Sequence, residues 1–333
     1  MKLSRSAPLL LATLLAGAAL PGCGPTAPAT AGPQAAEPAP APPKLRGKVA
    51  RFEADPRIGV YTSRPWGFET KSYWIEGPEG LVVIDTQFLT SAAVEVLDAA
   101  ESMTGKKVEL AIVLHPNPDK FNGTATFQAR GVKVLTSAQV LAKIPEVHDK
   151  RLRAFYDRYK PDYPKELPQP VSFGDADTEL SAGGVTVKAR LLGPGCSDAH
   201  VAVEFDGHVF VGDLVGNGTH AWLEIGEVEA WRQRLEEIAA MKPRFVHPGR
   251  GATGGAELLA WESTYLERVL SEVAKAKPSM PPPEGAIERV KQRMVEAYPG
   301  LDYDVFLELG LPAVWKKQAE KAAAGQATPG GRG

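Results

Sequence analysis

Hydrophobic and polar positions change rhythm several times along this chain, and each rhythm predicts an element. "RIGVYTSR" (57–64) and "KSYWIEG" (71–77) read as strands. "EGLVVIDT" (79–86) is a third, set off from the second by a turn at Pro78 to Gly80. Residues from about Ser91 to Met103 have helical spacing, and "VELAIVLH" (108–115) is a buried strand. "NGTATFQARG" predicts a short helix stopped by Gly131, and "VKVLTS" another strand. The charged, aromatic stretch from Ile144 to Tyr163 predicts a helix covering or flanking a site. A second block of strands follows in "VSFG", "TELSAGG", "VTVKARLLG", "HVAVEFDG" and "HVFVGDLV". "EVEAWRQRLEEIAAMKP" is an amphipathic helix and "RFVHPG" a last short strand. From Glu257 onward the spacing is helical, broken at "KPSMPPPEG", and "LDYDVFLELGLPAVWKKQAEK" reads as a helical cap. Strands fill the middle of each half and helices close each half. An α/β class follows, with two sheets packed together and helices outside.

The N-terminus has a different character. Lys2 and Arg5 precede the apolar run "APLLLATLLAGAAL", too short to span a bilayer and suited to a secretory signal. Cys23 follows in "LPGCG", which resembles a bacterial lipoprotein signal, although Pro21 departs from the small residue expected there. Residues 1–23 are therefore expected to be a signal peptide, with Cys23 as the lipidation site. Residues 24–46, rich in Pro and Ala, should form an extended tether. These features predict an exported, lipid-anchored protein of the bacterial cell envelope. Residues 47–275 should form the main domain, 276–322 a helical extension and 323–333 a disordered tail. The charge is nearly balanced, with 38 Lys and Arg against 40 Asp and Glu. That leaves no basic patch for nucleic acid. Of the two cysteines, Cys23 and Cys196, acylation of the first would leave the second without a partner.

Candidate chemistry sits where apolar strands give way to loops. Asp85 ends "VVIDT"; His115, Asn117, Asp119 and Lys120 follow the next strand in "LHPNPDKFNG". Cys196 lies in "LLGPGCSDAH", Asp213 ends "VFVGD", and His247 ends "RFVH". Loops at strand ends are where α/β folds place their sites. His220 and Asn217, in "GDLVGNGTHAWLE", either line a pocket or build a surface turn. His200 is expected in core or edge packing, and His148 and His208 at the surface.

The series "YWIEGPEGLVVIDT", "HPNPDKFNG", "GPGCSDAH", "VFVGDLV" and "FVHPGRG" resembles the metallo-β-lactamase fold superfamily, over about Val49 to Leu270. The resemblance implies an αββα sandwich, here with a helical C-terminal extension. It also implies zinc-dependent hydrolysis, with His115, Asp119, Cys196, Asp213 and His247 as ligands and Asp119 as the catalytic base. The family's His-x-His-x-Asp-His loop reads His115-Pro-Asn117-Pro-Asp119-Lys120 here, and Cys196 stands where a third imidazole is expected. Thiolate binds zinc as readily as imidazole does, whereas an amide oxygen suits harder ions. An ammonium offers no lone pair at all. The expected cofactor is thus one zinc ion, with Asn117, Lys120, Asn217 and His220 facing the substrate. Lys120 either replaces a metal electrostatically, holding Asp119 and Asp213, or is solvated beside the site. The expected activity is hydrolysis of an ester, thioester or phosphoester. The alternative is a catalytically silent relative that binds a small molecule or a protein partner in the same cleft.

Overall fold

The computed structural model describes residues 46–326. The signal peptide, Cys23 and the tether up to residue 45 lie outside the described residues, as does the tail from 327 on.

Two sheets face each other. The first takes its strands in chain order: β1 (Lys48–Arg51), β2 (Ile58–Thr62), β3 (Lys71–Glu76), β4 (Leu81–Ile84), β5 (Val108–Ile112), β6 (Lys133–Thr136) and β7 (Val171–Ser172). Pairing is antiparallel from β1 to β4 and parallel from β4 to β7. All of β4 is buried, as an apolar run covered on both faces should be. β1 has no counterpart in the strand pattern of the sequence; it is a short edge strand of alternating exposure. The second sheet comprises β8 (Thr178–Ala182), β9 (Val185–Leu192), β10 (His200–Phe205), β11 (His208–Gly216) and β12 (Phe245–Arg250), in the order β12-β11-β10-β9-β8. Between the sheets Tyr73 meets Phe210 and His247, at 5.3 and 5.0 Å between ring centroids.

Helices cover the outer faces. α1 (Thr90–Thr104) packs against β2, β3 and β5, with its Ala and Val face buried. α2 (Pro118–Phe121) is a single turn, and α3 (Thr124–Ala129) lies against β6. α4 (Ala138–Tyr159) starts earlier than the sequence suggests. Ser137 caps it by accepting the Val140 N–H, and Pro145 is carried inside it. On the second sheet, α5 (Val228–Ala240) and α6 (Glu257–Lys275) lie against β11. α7 (Ala286–Ala297) and α8 (Asp304–Gln326) close the chain by packing on α6, and Leu311, Val314 and Trp315 enter the same apolar cluster as Trp231 and Leu266. α8 continues to Gln326, into the segment expected to be a disordered tail.

Candidate functional site

Strands β4, β5, β11 and β12 and the β9–β10 turn bring polar side chains to one edge of the sandwich. Asp85 closes β4 at a backbone φ of 64° and accepts the Leu114 N–H at 2.9 Å. This ties the end of β4 to the loop that follows β5. In that loop Pro118 starts α2 just after Asn117, a position whose fixed φ suits a first helical turn. The Lys120 N–H bonds the Asn117 carbonyl, and the Lys120 carbonyl accepts both the N–H and the hydroxyl of Thr86. Asp119 and Lys120 are thereby fixed by backbone at both ends of the turn. Asp213 comes from an irregular stretch of β11, where Gly212 at φ 54° shifts the register with β12. Gly249 opposite leaves room for this carboxylate, since a Cβ there would lie 2.0 Å from Asp213 Oδ1.

At the centre is a lattice of ion pairs with almost no access to water. Lys120 is fully buried, its Nζ 3.1 Å from Asp119 Oδ2, 2.9 Å from Asp213 Oδ1 and 3.9 Å from Asp85 Oδ2. Arg250 clamps the same two carboxylates from the other side, through Nη2 to Asp119 Oδ2 and Nη1 to Asp213 Oδ2, each at 2.8 Å. Its Nε donates to the Phe68 carbonyl at 2.9 Å. Thr70 Oγ1 donates to Asp119 Oδ2 at 3.2 Å. Burial by itself would push Asp213 up, but Arg250, then Lys120 and His115, carry its carboxyl far below the usual range. Asp119 is also lowered: burial opposes the shift, and Lys120 and Arg250 drive it. Burial would likewise strip the proton from Lys120, yet Asp119, Asp213 and Asp85 hold it more firmly than in water. Asp85, the most weakly paired of the three acids, is pushed up to about 8 by burial, against the opposing charge of Lys120.

Behind this lattice lies a second cluster without net charge. A ring nitrogen of His115, Cys196 Sγ and a ring nitrogen of His200 all lie within 4.8 Å of one another, each side chain buried. Cys196 Sγ is 3.7 Å from His200 Nε2, which accepts the Ser197 N–H at 3.1 Å. His115 Nδ1 meets Ser197 Oγ at 3.2 Å. Among the described residues His115 Nε2 has no hydrogen-bond partner, and Asp213 Oδ2 lies 3.7 Å from it. Burial lowers His115 to about 4 and raises the Cys196 thiol, so both are neutral near pH 7.

His247 belongs to neither cluster. β12 reaches one residue beyond the expected "RFVHPG" strand, through Pro248 to Arg250. His247 is therefore mid-strand and packed between the sheets, stacked on Phe210 at 4.4 Å. Its nitrogens face His208 Nδ1 at 2.8 Å and Thr253 Oγ1 at 2.9 Å, and His208 in turn meets Asp55 at 3.2 Å. Arg250, three residues on, takes the place given to His247. His208 is buried in this chain of contacts, and His148 is buried too, so neither is the surface residue expected.

The cleft above the lattice is narrow, with about 50 Å³ of free space. That is room for roughly four waters. Phe68, Phe88, Phe155, Trp222 and Phe306 wall it, with Asn117, Asp119, Asp213, Arg151 and Arg250 as its polar positions. Arg250 lies 5.3 Å from the Phe306 ring, and Arg151 lies 5.1 Å from that of Trp222 while pairing with Glu224. Asn117 thus faces the cleft, whereas Lys120 is sealed beneath it. Asn217 and His220 do not line it. Asn217 donates to the Ala252 carbonyl, and His220 is held between Tyr265 and Asp304. Sequence reasoning missed Arg250, Thr70 and the aromatic walls; only the "HPGRG" stretch offered a signal, and there the histidine drew attention from the arginine.

The fold is a two-sheet sandwich with helices on its outer faces and a polar cluster at one edge. Residues 65–250, more than half of the chain, match the metallo-beta-lactamase superfamily. The chain belongs to this superfamily, whose members typically bind zinc. No match was found among curated proteins. Among solved structures, a metallo-beta-lactamase from Pontibacter korlensis is 21% identical with a TM-score of 0.54, covering 67% of this chain and 99% of that one. FIM-1 from Pseudomonas aeruginosa, solved in a mono-zinc form, is 16% identical with a TM-score of 0.52, over 68% of this chain and 98% of its own. DIM-1 metallo-beta-lactamase is 15% identical with a TM-score of 0.54, over 67% and 98%. At these identities the likeness is one of fold.

A pair of zinc ions does not fit the residues present. Both carboxylates at the edge already hold two cations, and neither Lys120 nor Arg250 can give a lone pair to a metal while charged. The soft donors that remain are His115, Cys196 and His200.

Proposed function

We propose that this protein is a binding member of its superfamily, in which two side-chain cations hold the carboxylates that metal ions hold in a hydrolase. The observation that carries this reading is the pairing of Lys120 and Arg250 with both Asp119 and Asp213. A divalent ion at this point would meet a buried ammonium and a buried guanidinium, at a cost that grows in low dielectric. Asp119 is poorly suited to act as a base, because Thr70, Lys120 and Arg250 all converge on one of its oxygens. Five aromatic walls and a few polar positions give the cleft the lining of a small-molecule pocket, in a space that takes only a few heavy atoms. Its ligand is a small, flat, mainly apolar molecule whose polar end meets Asn117. Tethering through Cys23 to the cell envelope would make this a surface-held receptor for such a ligand.

The test is metal content and ligand response in one preparation. The purified full chain is expected to carry no pair of zinc ions and to take up none when zinc is added. Flat apolar ligands should quench the fluorescence of Trp222, and Trp222→Phe should lose that response. Two bound zinc ions per chain, together with hydrolysis of an ester or thioester that chelator abolishes, would overturn the reading.

A further inference from the structure

We propose that Cys196, His115 and His200 form a buried site for one soft monovalent metal ion, copper(I), behind the ion-pair lattice. The proposal rests on the reading that Lys120 and Arg250 have replaced the superfamily's metal pair, and it uses His200, a residue outside the ligand set implied by the resemblance. Three observations carry it.

The first is donor geometry. The 3.7 Å between Cys196 Sγ and His200 Nε2 is the span of one ion lying about 2.3 Å from sulfur and about 2.0 Å from nitrogen, at an angle of roughly 120°. That angle suits a three-coordinate centre, and His115 brings a third donor within 4.8 Å of the other two. The second is an unpartnered buried ring nitrogen. His115 is fully buried, yet its Nε2 has no hydrogen-bond partner, a state that buried polar atoms rarely keep. Ser197 holds the opposite nitrogen of that ring, as an outer-shell partner of a ligating histidine does. The Ser197 N–H shares the lone pair of His200 Nε2 and must release it when the ion binds.

The third is charge, and it selects the ion. Asp119 and Asp213 are balanced by Lys120 and Arg250. On binding, the Cys196 thiol gives its proton to solvent, and a thiolate with a monovalent ion adds no net charge to the interior. Zinc in the same place would leave an extra buried positive charge beside two cations. Sulfur and imidazole are also the donors that copper(I) prefers.

The test uses the full chain carrying Cys23→Ser, so that Cys196 is its only thiol. Copper(I) is delivered anaerobically from a competing chelator, with silver(I) as a redox-inert probe. One equivalent of either ion should bind, with a thiolate-to-copper absorption in the near ultraviolet and a rise in Tm of about 5 °C or more. Cys196→Ser and His200→Asn, each checked for folding by circular dichroism, should lower the affinity at least a hundredfold. X-ray absorption of the parent should find one sulfur and two nitrogens around copper, a readout that does not depend on any variant folding. Binding retained in Cys196→Ser, or a copper centre without sulfur, would sink the proposal. Failure to bind either soft ion, with zinc also absent, overturns the copper site and leaves the cation-lattice reading standing. Two tightly bound zinc ions overturn both.

Discussion

The two halves of this polar cluster have met the same physical problem differently. The half with Asp119 and Asp213 holds two carboxylates a few ångströms apart with little water, and like charges so placed need counter-charge. Lys120 and Arg250 supply it as part of the chain. The half with His115, Cys196 and His200 is neutral as it stands, so nothing compels it to recruit a cation, and Ser197 holds one ring nitrogen of each histidine. An acidic pair and a soft neutral trio thus make different demands on the charges around them.

The largest effect should come from breaking the lattice. Lys120→Ala removes one of two cations from a buried cluster and leaves an uncompensated carboxylate, a change worth about 3–5 kcal/mol. Thermal or urea unfolding would read it, and zinc added to the variant should recover part of the loss by binding the folded state. Arg250→Ala should act alike, since it also releases the Phe68 carbonyl. A variant Lys120→Ala as stable as the parent would mean that the ion pairs do not hold the carboxylates together.

A constructive change should be smaller in stability and plainer in chemistry. Lys120→His with Arg250→His replaces both cations by imidazoles beside Asp119 and Asp213, giving four donors suited to zinc. Isothermal titration should find tight zinc binding in the double variant and none in the parent. Equal zinc uptake by both proteins would remove the distinction between the two halves.

Most of the fold was legible, and the site only in part, for reasons that particular residues make clear. Long apolar runs such as "GLVVIDT" and "VELAIVLH" carry their strand nature in composition alone. The αββα layering then follows from their order. β1 was missed because four residues of mixed polarity, "KVAR", give no period to read. At the site, Asp85, His115, Asp119, Lys120, Cys196 and Asp213 were found because each follows an apolar run. Arg250 was missed because the strand reading "RFVHPG" stops one residue short of it and its histidine is the better-known metal donor. Here Pro248 sits inside β12, opposite the register shift at Gly212, and the strand delivers the arginine instead of the histidine. The aromatic walls come from five separated segments, and no local pattern announces that they meet.

His247 offers a sharper contrast between core and cleft. His247→Phe keeps the stacking on Phe210 but leaves a nitrogen of His208 without its partner, at a cost of about 1–3 kcal/mol. Metal content, whether zinc or copper, should not change. Burial, with His208 and Lys71 adding to it, holds His247 down to about 3 in the folded protein. A histidine kept neutral by the fold contributes stability above its unfolded pKa of about 6.5, and that contribution is lost as pH falls toward 3. The variant should therefore lose stability less steeply than the parent between pH 6.5 and 4. A change in metal stoichiometry would return His247 to the ligand set.

The last effect grows with pH and concerns an acid just outside the lattice. Glu262, on α6, is buried, and its carboxyl accepts the Gly216 N–H at 3.0 Å while its other oxygen has no partner. Burial pushes it up to about 8, opposed by that N–H and aided by the charge of Asp213. Unlike Asp119 and Asp213, it has no cation beside it among the described residues, so the fold keeps it protonated. The sign then runs opposite to that of the paired acids. Below its unfolded pKa of about 4.3 both states are protonated; as pH rises toward 8 only the unfolded chain ionises, and stability falls. One proton of difference gives a slope of about 1.4 kcal/mol per pH unit. Glu262→Gln keeps the shape and the acceptor for Gly216 but cannot ionise. The stability gap between variant and parent should therefore widen by about that slope from pH 5 to 7.5, as read from urea midpoints at constant m. A gap that stays flat with pH would mean that Glu262 is charged in the folded protein and has found a cation, making it another member of the lattice.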